Sequence, residues 1–102
     1  MAFSYSDNNF TVIGNLCFVH IPLDGTKDTY EIPPAIADRM VSDSVVSIYP
    51  YRSENKSSRG EGQTTLNIGF AIIRFGEIFC PDVGDGFLYG YLSLFFPIDS
   101  NK

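Results

Sequence analysis

Ten residues without a charge, Phe87-Leu-Tyr-Gly-Tyr-Leu-Ser-Leu-Phe-Phe96, end where Pro97 withdraws a backbone donor. This stretch limits what the chain can fold into more than any other. Its aromatics suit a pleated surface, and Gly90 in their midst offers a helix little, so the stretch reads as a strand. Alternation places Phe87, Tyr89, Tyr91, Ser93 and Phe95 on one face and Leu88, Gly90, Leu92, Leu94 and Phe96 on the other. Both faces are apolar, and the face with Leu92 and Leu94 is the one expected in the core. The expectation is a strand that is central in the fold or is covered by something outside its own sheet.

The rest of the chain supplies partners of the same kind. Phe10–Ile13 and Leu16–Ile21 flank Gly14-Asn15, which fits a two-residue hairpin of the II′ kind because glycine takes a positive φ at the first central position. Pro22 closes the second run, and Asp24-Gly25 has turn chemistry. A short strand over Thr29–Ile32 precedes Pro33-Pro34. The six residues from Ala35 to Met40 are too few for a helix that holds itself, so a packed loop or a turn of 3₁₀ is expected there. In the run from Ser44 to Tyr51, Val46, Ile48 and Pro50 lie on one side and Val45, Ser47, Tyr49 and Tyr51 on the other. From Thr64 the alternation suggests Leu66, Ile68, Phe70 and Ile72 facing inward, with Thr65, Asn67, Gly69 and Ala71 outward. Between these runs, Arg52–Gln63 is hydrophilic and reads as an exposed, mobile hairpin loop. A short strand over Glu77–Cys80 and a turn over Pro81–Gly86 lead into the aromatic stretch.

Seven or eight such strands with no amphipathic helix predict an all-β fold, an antiparallel β-sandwich or jelly-roll-like barrel. At 102 residues one core is enough, so a single β domain is expected over 10–97, after a polar lead-in or linker at 1–9 and before a tail at 98–102. The formal charge of −5 gives nucleic acid no positive field to meet. No run reaches the ~18 apolar residues of a membrane helix, so no membrane insertion is expected. Met1–Phe10 is polar, unlike a secretion signal.

Catalytic chemistry finds little to work with. His20 is the one histidine, and it lies on the opposite side of its strand from Cys17, Val19 and Ile21. A single imidazole makes a poor start for a metal site, and nothing pairs it with Cys80. Cys17 and Cys80 sit in apolar runs, as small buried hydrophobes do. Asp82-Val-Gly-Asp85-Gly86 lacks the alternate ligands and distal Glu of a calcium loop. No spacing selects a pair of carboxylates for glycoside hydrolysis. The sequence therefore predicts no enzyme, no catalytic residues, no metal and no cofactor. Aromatic surface remains. Tyr49 and Tyr51, and Tyr89 and Tyr91, form alternate pairs on two strands, each able to stack on a sugar ring while its hydroxyls bond outward. They are the candidate ligand-binding residues. The same four tyrosines also suit a core edge or an intersubunit seam.

Ile13-Gly-Asn-Leu-Cys-Phe-Val19, Ile32-Pro-Pro-Ala35 and Ile72-Ile-Arg-Phe-Gly-Glu-Ile78, in that order and before a final aromatic strand, resemble the tip domains of bacteriophage tail fibres and baseplates. The likeness spans roughly residues 10 to 97. It implies a trimeric β-sandwich head in the virion that adheres to a host-surface saccharide or protein, with no catalytic step. The polar run 52–63, the two cysteines and the lack of a fibrous stem depart from that pattern. An apolar strand with two dry faces independently favours a homo-oligomer, and the resemblance makes it a trimer. Non-enzymatic receptor binding or adhesion on a phage tail or baseplate is the expected function, and structural assembly in the virion, as a decoration or connector protein, is the alternative. A small hydrolase is a distant third.

Overall fold

Gly90 divides the uncharged stretch between two sheets. The computed structural model describes residues 3–41, 45–56, 62–81 and 87–101 of the chain. Its strands are β1 (Phe10–Ile13), β2 (Leu16–Pro22), β3 (Thr29–Glu31), β4 (Val45–Lys56), β5 (Gly62–Arg74), β6 (Glu77–Phe79), β7 (Phe87–Tyr89) and β8 (Tyr91–Pro97). One sheet has the order β1-β2-β8 and the other β3-β6-β5-β4-β7, with every described pairing antiparallel. The chain is an all-β protein, two sheets around one core.

The expected single strand over Phe87–Phe96 is thus two strands in different sheets. Arg52 pairs with Tyr89, and the same register would set Pro50 opposite Tyr91. Pro50 has no N–H to give, and Gly90 takes φ +108°, a conformation that only glycine enters readily. The chain leaves β4 there. It joins β2 instead, with Pro22 opposite Tyr91 and Leu16 opposite Pro97. Strand β8 is consequently an edge strand of its sheet, where a strand central in the fold or covered from outside its sheet was expected. Leu92, Leu94 and Phe96 are buried in the core, while Tyr91 and Phe95 stay exposed.

Sequence order is obeyed closely elsewhere. Gly14 has φ +61°, and Asn15 does not enter the positive region, the combination of a type II′ hairpin between Ile13 and Leu16. Pro33-Pro34 opens a single α-helical turn, α1 (Pro34–Ala37), where a loop or 3₁₀ turn was expected. Pro34 needs no amide partner in the first turn, and Ile36 anchors the turn in the core.

Both ends of the described chain are docked. Val12 N–H donates to Tyr5 O at 2.9 Å and Phe3 N–H to Ser100 O at 2.8 Å. The Arg39 guanidinium lies 3.8 Å from the centre of the Phe3 ring, and Asp99 N–H donates to Arg39 O at 2.7 Å. Phe3 and Tyr5 pack against the core. A polar composition did not keep this lead-in loose, because its two aromatics face inward.

The β4–β5 hairpin reverses one expectation. Its ladder runs from Val45↔Ile73 to Lys56↔Gly62, so residues 52–56 and 62–63 are strand and not loop. The mobility expected of that loop concerns 57–61, which lie outside the described residues, as does the turn at 82–86. The inward face of β5 carries Gly69, Ala71 and Ile73, and Leu66, Ile68 and Phe70 face out, opposite to the expected parity. The cause is Tyr49. Its ring lies over Gly69, where an added Cβ would stand 2.9 Å from Tyr49 Cζ and 3.1 Å from Tyr51 Cε1. A residue without a Cβ opposite Tyr49 leaves room for that ring, and alternation then sends Leu66, Ile68 and Phe70 to the other side.

Candidate functional site

Two outward faces carry the features that could serve function. The first is the outer face of β4 and β5. Register places Val46 opposite Ile72, Ile48 opposite Phe70, Pro50 opposite Ile68 and Arg52 opposite Leu66, all on one side of the ribbon. Ile48, Leu66 and Ile68 are 70%, 71% and 74% exposed. Val46 and Phe70 are exposed too. From Val46 to Pro50 and from Leu66 to Ile72 this face holds no charge. Burying any one of these side chains would be worth roughly 1.5–3 kcal/mol, so leaving the set bare is costly. Geometry explains why the fold cannot cover them. Twelve and thirteen residues carry β4 and β5 for about 40 Å, whereas β1, β2 and β8 have four to seven, and they lie on the other side of the larger sheet.

The second face belongs to the three-stranded sheet. Phe18 and Phe95 are register partners with ring centres 5.8 Å apart. His20 and Tyr91 stack at 4.0 Å and 12°, and His20 Nδ1 lies 2.8 Å from Ser93 Oγ in a hydrogen bond. Ile13 and Leu16 extend the same side, and both are exposed. Strand β8 runs beside β4, where Ser47 Oγ donates to Phe95 O at 3.4 Å.

The three candidate tyrosines whose side chains are described do not gather in one place. Tyr49 is only 1% exposed, and its hydroxyl is buried beside Cys80. Burial, then the neighbouring Cys80 and Tyr51, push its ionisation far above the ordinary phenol range. Tyr51 is half-buried against the Tyr49 ring at 5.8 Å. This pair is part of the core and its margin, and does not present two phenols to solvent. The Tyr89 side chain lies outside the described residues. Tyr91 is exposed, on the other sheet and beside His20. Sequence reading passed over the His20–Tyr91–Ser93 group because His20 lies more than 70 residues from the other two until β2 and β8 pair.

Chemistry within the fold is sparse. Cys17 and Cys80 are thiols buried in the core. Burial, with Asp7 adding to it, pushes Cys17 up to about 12, so it is no nucleophile at neutral pH. A cleft of about 340 Å³ is lined by residues that include Asp24, Lys27, Tyr30 and Glu31. Asp24 there is taken up by Thr26, whose hydroxyl and N–H donate to it at 2.7 and 2.9 Å and hold its carboxyl below the ordinary range. Tyr30 Oη accepts from Asp24 N–H at 3.1 Å. Among the described residues no group of three His, Cys, Asp or Glu is placed to hold a metal, and no helix is long and apolar enough to cross a membrane. No protein-family model, curated protein or solved structure matches the chain.

Proposed function

We propose that this chain is a non-enzymatic assembly module, a small all-β subunit that works by protein contact within a larger particle. One observation carries the reading: Ile48, Leu66 and Ile68 are each at least 70% exposed on one sheet face whose rows from Val46–Ile72 to Pro50–Ile68 hold no charge. Sugars present hydroxyls, and a face with so few polar groups gives them little to bond. A protein surface can dry such a face. The order of motifs that resembles phage tail tips supports a virion as the particle. If so, the chain should co-sediment with purified particles at a fixed copy number, measured by gradient fractionation and quantitative mass spectrometry. Recovery only at the top of the gradient, as a free small protein, would overturn the assembly reading.

Receptor binding is the second reading, and the His20–Tyr91–Ser93 group favours it. A stacked aromatic pair with an imidazole, a phenol and a hydroxyl beside it can hold one sugar ring or one polar side chain. Its test is adsorption of the domain to a glycan panel and to host cells, compared with Tyr91→Ala. Adsorption lost in that variant would support receptor binding, and equal adsorption would remove Tyr91 from it.

A further inference from the structure

We propose that the outer face of β4 and β5 is a self-association seam, on which a second copy of this chain packs face to face. Val46, Ile48, Leu66, Ile68 and Phe70 together leave on the order of 500 Å² of apolar surface bare, near the upper end of what the largest patch on a monomer reaches. A stable interface needs about 800 Å² from each partner. The apolar centre therefore supplies well over half, and Pro50 and Ile72 lie within the same rows.

A second copy suits the face better than a partner of another kind for two reasons. Each copy carries a net charge of −5, so approach through most surfaces brings like charges together. This band is uncharged, and it lets two acidic chains meet with no ionic contact at the centre. The band also has self-complementary order. Reversing the strand direction about an axis through the Ile48–Phe70 row sets that row on its own copy and Val46–Ile72 against Pro50–Ile68, β4 over β4 and β5 over β5. That operation closes after two copies, as an isologous contact does. Sheets packed so lie about 10 Å apart, close enough for leucine and isoleucine side chains to interdigitate. Arg52 at one end and the Arg74–Glu77 pair (3.3 Å) at the other fall at the rim, where charges belong. A trimer would have to turn three such faces towards one axis, whereas a single opposing ribbon covers the apolar rows along their length.

Pairing of this kind rests on the assembly reading for its purpose, but the two fail separately. Purified full-length chain at micromolar concentration should show about twice the 11.3 kDa chain mass by light scattering. Ile48→Lys and Ile68→Lys, each placing a charge in the seam, should keep the wild-type circular dichroism and weaken association on the order of tenfold or more. Ile13→Lys, at an exposed site on the other sheet, should leave association unchanged. Should either seam variant lose the fold, Leu66→Lys, opposite Arg52 on the same face, replaces it. A wild-type monomer, a mass three times that of the chain, or association that survives folded seam variants would each overturn the proposal. None of these results would alter co-sedimentation with particles, which decides the assembly reading by itself.

Discussion

Gly69 and Tyr49 set the parity of the longest hairpin, and they do it by volume. A Cβ at Gly69 would fall 2.9 Å from Tyr49 Cζ, inside any normal contact, and the ring has the rest of the core behind it. Gly69→Ala should therefore destabilise the fold by about 1–3 kcal/mol, as overpacking does, read as a lower midpoint of urea unfolding. Asp7 acts through hydrogen bonds. Burial works to raise its carboxyl, but the N–H groups of Asn9 and Phe10, each at 2.7 Å, and the Tyr5 hydroxyl outweigh it and hold the group below 3.8. A depressed carboxyl stabilises the fold fully above its ordinary value and stops doing so as pH falls through the lower, folded one. Asp7→Asn should thus be less stable than wild type at neutral pH. The two unfolding midpoints should converge as pH drops below 3.8, and a gap constant with pH would remove Asp7 from the acid limb.

Among the elements, the passage from β7 to β8 decides the architecture. Gly90 at φ +108° directs the chain from the five-stranded to the three-stranded sheet, and Gly90 O accepts from Leu23 N–H at 3.1 Å. Nothing would crowd a side chain there, so the cost of Gly90→Ala is conformational. We expect a loss of about 1–3 kcal/mol in denaturant unfolding. A midpoint equal to wild type would mean that the switch lies elsewhere. The stretch 87–96 was legible as strand because its residue types favour one, and its core face was legible from alternation: Leu92, Leu94 and Phe96 are all buried. The break was not legible. Glycine in a strand is common, and only the pairing of Arg52 with Tyr89, which brings Pro50 level with Tyr91, shows where the ladder has to end.

At the scale of the molecule, both sheets contribute to one core: Cys17, Val19 and Leu92 from one, Tyr49, Ile73 and Ile78 from the other, with Ile36 of α1 between elements. Such a core should melt as a unit. Tyrosine fluorescence and far-ultraviolet circular dichroism should give the same midpoint in denaturant. Two separate transitions would mean that the β4–β5 hairpin unfolds independently of the three-stranded sheet. The molecule extends 58 × 22 × 18 Å, long for its size because that hairpin outruns the shorter sheet.

By itself the sequence determined the class of fold, the II′ hairpin at Gly14-Asn15 and the inward face of β8, since each depends on residues near one another along the chain. It also located the aromatic and apolar residues from which any binding face must be built. Tertiary structure decided which of those residues are outside. In Leu66–Ile73 both sides of the strand are apolar or small, so alternation offers two parities, and the choice falls to the Tyr49 ring from the neighbouring strand. The same holds for the tyrosines. Tyr49 and Tyr91 have one composition and two fates, buried and exposed, because a side chain's surroundings come from strands distant in sequence, and local pattern cannot reach that far.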